Sequence, residues 1–218
     1  MSILKIPAQI PIWEIEEYLS PQELKEVCLE IDLITKNNLL GSELSAGASL
    51  SNYKSLAVNK PSIFFGELYG SLNAPESYFG KYFDKFLFHP DFDDFESTLG
   101  GSFLYTITAT SILFAQYNQD GFYKAHRDGA KLTLLFWYTE NTNELQGGDL
   151  FFPDINHTVV FKSNKAVIFP SFMFHEVTPV NYKNQDIRRY SFSVFMASEK
   201  PGNTLYEHHR WRKNVPNR

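Results

Sequence analysis

Two of the six histidines in this chain stand in a pattern that can hold a metal. They are His126, in His126-Arg127-Asp128, and His175, 49 residues further on. Two neutral imidazoles and one carboxylate make the facial set used for non-haem Fe(II). Such a set holds the ferrous ion while leaving adjacent positions open for a bidentate cosubstrate and oxygen. A His-x-Asp turn at a strand end puts both side chains on one side of the chain. The second histidine must then come from a strand distant in sequence but close in a barrel.

The elements that would position these residues are mostly strands. From Phe103 onward FLYTITA, SILFAQYN, LTLLFWYT, DLFFP, HTVVF, KAVIFP, FMFHEVTPV and RRYSFSVFMA are short, β-branched and aromatic, with polar or glycine-containing breaks. About eight such segments at close spacing predict a sandwich or barrel. Helices precede them. Ser20-Pro21-Gln22-Glu23 is a capping box with proline at the first helical position, and Leu24, Val27, Cys28 and Ile31 continue the helical spacing to about Lys36. A second helix is expected from about Pro75 to Phe88, with Phe79, Tyr82, Phe83, Phe86 and Leu87 on the face that packs on the sheet. Between them Gly41–Lys60 is rich in Ser and Gly and reads as a long loop, a candidate lid.

Composition narrows the function. With 218 residues, 43% hydrophobic and 21% charged, the chain can bury a full core and is not disordered throughout. A net charge of −5 disfavours a dedicated nucleic-acid or anionic-membrane binder. The single cysteine, Cys28, excludes an intrachain disulfide and a multi-cysteine zinc site, and points to a reducing cytoplasm. No signal peptide and no run of apolar residues long enough for a membrane helix is read. The aromatic content, 16% with 20 Phe and 12 Tyr, favours strands. The expectation is one domain over residues 1–218: helical support and lid in 1–100, a strand core in 101–200, and a polar tail in 201–218. His157 is expected in a solvated turn, and His208 and His209 in the tail, whose arginines and lysine read as a solvated face.

The order Tyr117-x3-Gly121-x-Tyr123-x2-His126-x-Asp128 resembles the Fe(II)/2-oxoglutarate-dependent dioxygenases, in particular their prolyl 4-hydroxylase-like branch. KLTLLFWYT, the LQGGDLFFP hairpin with Gly147 and Gly148, KAVIFPSFMFHEVTPV and RRYSFSVF are similar to family elements in the same order, over about Leu104 to Met196. WEIEEYLSPQEL is similar to the start of family catalytic domains.

The resemblance implies a mainly β fold, a double-stranded β-helix or jelly roll with N-terminal supporting α-helices. It implies His126, Asp128 and His175 as ligands of Fe(II), with 2-oxoglutarate as cosubstrate, O2 as oxidant and ascorbate as reductant. Tyr117 is implied as a donor to the cosubstrate. Its far carboxylate needs a buried cation, and Arg188 and Arg189 compete. On a strand Arg189, Ser191 and Ser193 share one face while Tyr190, Phe192, Val194 and Met196 share the other. The family's Arg-Tyr-Ser strand aligns with Arg189-Tyr190-Ser191, which favours Arg189 as anchor, with Ser191 beside it, and leaves Arg188 at the surface. Collagen-type members carry lysine there, a departure, and the 14 residues from His175 to Arg189 suggest an extra loop in NYKNQDIR. The second arginine of oxidative nucleic-acid dealkylases has no counterpart at Val194 or Phe195. A carboxylate at Asp128 leaves no place for halide.

The expected activity is hydroxylation of an unactivated C–H bond with release of succinate and CO2. The leading substrate is an amino-acid side chain, prolyl or another, in a peptide or protein. A free amino acid or small metabolite is the alternative, and a non-catalytic, cupin-like metal- or ligand-binding jelly roll is the alternative of another class.

Overall fold

The structure, a computed structural model, describes residues 3–5, 12–41, 60–70, 76–96, 98–184 and 186–198. The Gly41–Lys60 loop, apart from its two ends, and the 201–218 tail with His208 and His209 lie outside the described residues.

Helix α1 (Pro21–Lys36) begins where its capping box requires: Ser20 accepts from the Glu23 amide and Glu23 accepts from the Ser20 amide. It buries Val27, Ile31 and Ile34 together with one carboxylate, Glu30. Glu30 is tolerated because three donors reach it: the Tyr69 hydroxyl, Ser77 Oγ at 3.0 Å and the Phe79 amide at 2.9 Å. The helices after it are short: α2 (Phe65–Tyr69), α3 (Tyr78–Tyr82), α4 (Phe92–Glu96) and α5 (Leu99–Leu104).

The expected Pro75–Phe88 helix is therefore corrected. Its α part is α3 alone, followed by a 3-10 turn over Phe83–Phe88. The Phe83 carbonyl is engaged by the Tyr18 hydroxyl, and Pro90 favours the extended backbone seen at His89. Tighter winding still delivers Phe83, Phe86 and Leu87 to the core. FLYTITA is a second correction. Thr98 caps α5 by accepting from the Gly101 amide, and the Thr106 hydroxyl donates to the Phe103 carbonyl. Those local bonds hold the segment in helix and turn until Ala109.

The described strands are β1 (Ile3–Lys5), β2 (Trp13–Ile15), β3 (Ser62–Phe64), β4 (Ala109–Tyr117), β5 (Tyr123–His126), β6 (Leu132–Tyr138), β7 (Leu145–Gly147), β8 (Leu150–Phe152), β9 (His157–Val159), β10 (Lys165–Pro170), β11 (His175–Val177), β12 (Val180–Tyr182) and β13 (Arg189–Ala197). They form a seven-stranded sheet in the order β1-β2-β10-β6-β13-β4-β3, a four-stranded sheet β5-β11-β8-β9, and the pair β12-β7. All the pairings are antiparallel. The fold is mainly β, a jelly roll with helices on its large sheet. The first hundred residues supply more than helices: β1, β2 and β3 extend both ends of the large sheet.

Alternation along the strands splits the core in two. Phe114, Leu134, Phe136, Ile168, Tyr190, Phe192, Val194 and Met196 meet the helices, where Phe79 stacks on Phe192 with centroids 4.2 Å apart. Ala115, Tyr117, Leu135, Trp137, Val167 and Phe169 face inward against Leu150, Phe152, Val159 and Val177 of the smaller sheet. The candidate site lies at this inner face.

Candidate functional site

His126 and His175 are direct cross-strand partners of the β5–β11 pair, so their side chains leave the same face. Their ring centroids are 4.3 Å apart. Asp128, two residues past the end of β5, is held in place where its amide donates to the Ser171 carbonyl at 3.0 Å. Its two oxygens lie 3.6 Å from His126 Nε2 and 3.5 Å from His175 Nε2. One ligand atom from each of the three lies within 4.8 Å of the others, a set that could hold a metal ion.

The ring orientations follow from their other nitrogens. His126 Nδ1 is 2.8 Å from the Lys124 carbonyl and His175 Nδ1 is 3.0 Å from the Met173 carbonyl. A carbonyl only accepts, so each Nδ1 carries the proton and each Nε2 offers its lone pair to the centre. Asp128 is supported as well. Thr133 Oγ1 donates to Asp128 Oδ2 at 2.6 Å, and Ser171 Oγ, 2.8 Å from Thr133 Oγ1, must then be the donor to it. Neither hydroxyl was legible as a site residue; each follows from strand register and turn placement.

Electrostatics favour ligation. Burial raises the Asp128 carboxyl, but the adjoining His126, then His175, and the Thr133 hydroxyl outweigh it and hold the group below its ordinary value. Burial pushes His175 down to about 4 against the pull of Asp128, so at neutral pH its ring is neutral. The unfolded chain therefore binds the extra proton between pH 6.5 and about 4, and stability of the metal-free chain falls as pH drops through that window. Asp128, lowered in the folded state, adds a separate loss below its ordinary value. Urea midpoints from pH 7 to 4 should show the first decline, and His175→Gln should flatten it.

Deeper inside, Arg189 is completely buried, and Nε, Nη1 and Nη2 lack any hydrogen-bond partner among the described residues. Its guanidinium carbon sits 4.3 Å from the Tyr117 ring centroid, 5.0 Å from Phe161 and 5.3 Å from Trp137. Burial lowers its pKa, yet a guanidinium stays charged. Arg189 pairs with Tyr117 in the β13–β4 ladder, and Tyr182 clamps that pair: its hydroxyl donates to the Tyr117 carbonyl at 2.6 Å and accepts from the Arg189 amide at 2.7 Å. Gly148 makes room. With φ +71°, a Cβ there would lie 2.9 Å from Arg189 Cδ and Nε. Ser191 is buried on the same inward face, opposite Ala115 and Trp137. Arg188 is half-buried, its guanidinium 5.9 Å from the Tyr182 ring, and lies outside the Arg189 chamber.

Tyr123 stacks on His126 with centroids 3.6 Å apart, and burial, with Asp128 and Tyr117 nearby, raises its hydroxyl to about 12. Lys60, unremarked in the sequence, is buried with Nζ 4.8 Å from the Tyr123 ring and 5.7 Å from the Tyr117 ring. His157 is corrected. It opens β9, half-buried, with Nε2 3.7 Å from Glu14, because strand pairing with Phe152 turns it under the sheet edge.

The family model described as "2OG-Fe(II) oxygenase superfamily" matches residues 112–197, the span holding the triad and Arg189. Over that span the chain is similar to the 2OG-Fe(II) oxygenase superfamily. That family is named for iron and 2-oxoglutarate. No curated protein matches the chain in sequence. Among solved structures it is similar to a prolyl-4-hydroxylase of Pseudomonas putida, at 15% identity and TM-score 0.58, covering 86% of this chain and 93% of that one. It is also similar to a prolyl hydroxylase of Trichoplax adhaerens in complex with a hypoxia inducible factor oxygen degradation domain peptide fragment. That match has 16% identity and TM-score 0.60, and covers 94% of this chain and 87% of that one. A viral collagen prolyl hydroxylase from Paramecium Bursaria Chlorella virus-1, in a 2OG complex, matches at 16% identity and TM-score 0.50, covering 85% and 96%. These likenesses establish the shared fold. Among the described residues no helix is long and apolar enough to cross a membrane.

Proposed function

We propose that this chain is an Fe(II)/2-oxoglutarate-dependent oxygenase that hydroxylates an unactivated C–H bond of an amino-acid side chain, in a peptide or protein, with prolyl as the leading target. A completely buried arginine whose three guanidinium nitrogens are unpartnered among the described residues, lining the inner core whose Phe169 ring lies 4.7 Å from the His175 ring, is the observation that carries the reading. Such an arginine costs stability unless a ligand anion answers it. The group fits: His126 Nε2, His175 Nε2 and an Asp128 oxygen would hold Fe(II), and Arg189, cradled over Gly148, would take the far carboxylate of 2-oxoglutarate. Tyr117, on whose ring the guanidinium rests, and Ser191 complete the cosubstrate pocket.

When bound, iron and 2-oxoglutarate supply the oxidising chemistry, with succinate and CO2 as co-products and ascorbate restoring the ferrous state. The chain's own residues do the rest. The carbonyls of Lys124 and Met173 keep both imidazoles in the ligating tautomer. Ser171 and Thr133 aim the carboxylate. Trp137, Phe161 and Tyr117 keep water from the guanidinium, which strengthens its ion pair with the cosubstrate. Among the described residues the supporting helices and the large sheet share one core, which supports reading the chain as a single domain.

The test is succinate formation with Fe(II), ascorbate and 2-oxoglutarate, followed by a mass search for one added oxygen across proline-containing peptides and free amino acids. Succinate with a +16 product on a peptide supports the reading. No succinate with any substrate and no iron-dependent 2-oxoglutarate binding would sink it. Gly148→Ala probes the cradle: forcing a side chain at positive φ against Arg189 should weaken 2-oxoglutarate about tenfold or more and cost about 1–3 kcal/mol of stability. Calorimetric titration and urea unfolding read the two effects.

A further inference from the structure

Two buried lysines of this chain are treated in opposite ways. Lys165 is matched: its Nζ lies 2.9 Å from Glu14 Oε2 and donates to the Val160 carbonyl. Lys60 is only 3% exposed, and no carboxylate lies within ion-pair distance of its Nζ among the described residues. What it has instead is the rings of Tyr123 and Tyr117, at 4.8 and 5.7 Å. Cation–π contact offsets part of the burial of an ammonium, and an anion would offset far more. The two tyrosines also locate the charge. Tyr123 stacks on the ligand ring of His126, and Tyr117 carries the Arg189 guanidinium at 4.3 Å. Lys60 therefore lies beside the triad, in contact with both rings of the inner chamber.

We propose that Lys60 is the substrate-recognition cation of this site, taking a carboxylate of the molecule to be oxidised. The inference rests on the reading under Proposed function, and it narrows the substrate. In that reading the cosubstrate's far carboxylate belongs to Arg189 and its other carboxylate to the metal, so the charge of Lys60 is left for the substrate. The carboxylate has two sources, the α-carboxylate of a free amino acid and an acidic side chain next to the target residue in a peptide. Lysine suits either, as a compact point charge on a flexible stem.

The test measures binding without turnover, on the full chain loaded with Mn(II) and 2-oxoglutarate. Probes come in acid and neutral pairs: the common free L-amino acids against their primary amides, and the capped peptide Ac-Pro-Asp-NH2 against Ac-Pro-Asn-NH2. The wild type should prefer the acid member of one pair about tenfold or more, the worth of a charge-assisted hydrogen bond. Which pair responds identifies the source. Lys60→Met keeps the aliphatic stem and should bring that preference within about twofold, while Lys60→Arg should retain it. Affinity for 2-oxoglutarate in Lys60→Met should stay within about twofold of wild type, which also shows that the variant is folded. Equal binding of acid and neutral members, no binding by any probe, or a preference that survives Lys60→Met would overturn the proposal. So would a loss of 2-oxoglutarate affinity in Lys60→Met matching the loss of the acid probe, since the cation would then serve the cosubstrate. Absence of Mn(II)-dependent 2-oxoglutarate binding by the wild type would instead remove the underlying reading, and this one with it.

Discussion

Arg189→Met is expected to weaken 2-oxoglutarate binding about a hundredfold or more while leaving metal binding intact. A bidentate, charge-assisted contact in a dry pocket contributes about 3 kcal/mol, and each 1.4 kcal/mol is tenfold in affinity. The same substitution should not destabilise the metal-free chain and should raise its melting temperature. It exchanges a completely buried cation, its three nitrogens unpartnered among the described residues, for apolar volume among Tyr117, Phe161 and Trp137. Opposite signs for affinity and stability mark a residue held for a ligand rather than for the fold. Arg188→Ala should change neither. If Arg188→Ala removed 2-oxoglutarate binding and Arg189→Met did not, the anchor would be misassigned. Thermal unfolding of the apo chain and calorimetry with Mn(II) present separate the outcomes.

His126→Ala is expected to lower metal affinity by more than about a hundredfold. Loss of a supporting partner alone typically costs 10–100-fold, and a ligand should cost more. Thr133→Val, which removes the hydroxyl that aims Asp128, gives the internal scale with an expected loss of about tenfold. Titration with Mn(II) or anaerobic Fe(II) measures both. Equal affinities in wild type and His126→Ala would place the metal elsewhere and sink the assignment of the triad.

Much of the architecture was legible because it depends on local chemistry. The α1 start follows from Ser20, Pro21 and Glu23, and it lies where the capping box places it. Alternation in RRYSFSVFMA separates Arg189, Ser191 and Ser193 from Tyr190, Phe192, Val194 and Met196, and the two cores divide the strand in that way. The failures were local signals overruled by partners. Phe83–Phe88 winds as a 3-10 turn beneath the Tyr18 hydroxyl, and FLYTITA is held out of the sheet by Thr98 and Thr106. His157 reads as solvated in sequence, yet pairing of β8 with β9 half-buries it beside Glu14.

The sequence by itself determined which chemistry is available: two histidines, an aspartate and an arginine of the right types, on or just past strands whose side chains alternate between two faces. Residue type and a period of two are properties of the chain alone, so they can be read from it. Register and long-range placement are not. Only the tertiary structure set His126 opposite His175, brought Thr133 and Ser171 under Asp128, and closed Gly148 against Arg189. It alone buried Lys60 against two tyrosines, with no ion-pair partner among the described residues. A lysine 57 residues before Tyr117 has no local signature, because its burial against the two tyrosines depends on how distant strands pack together.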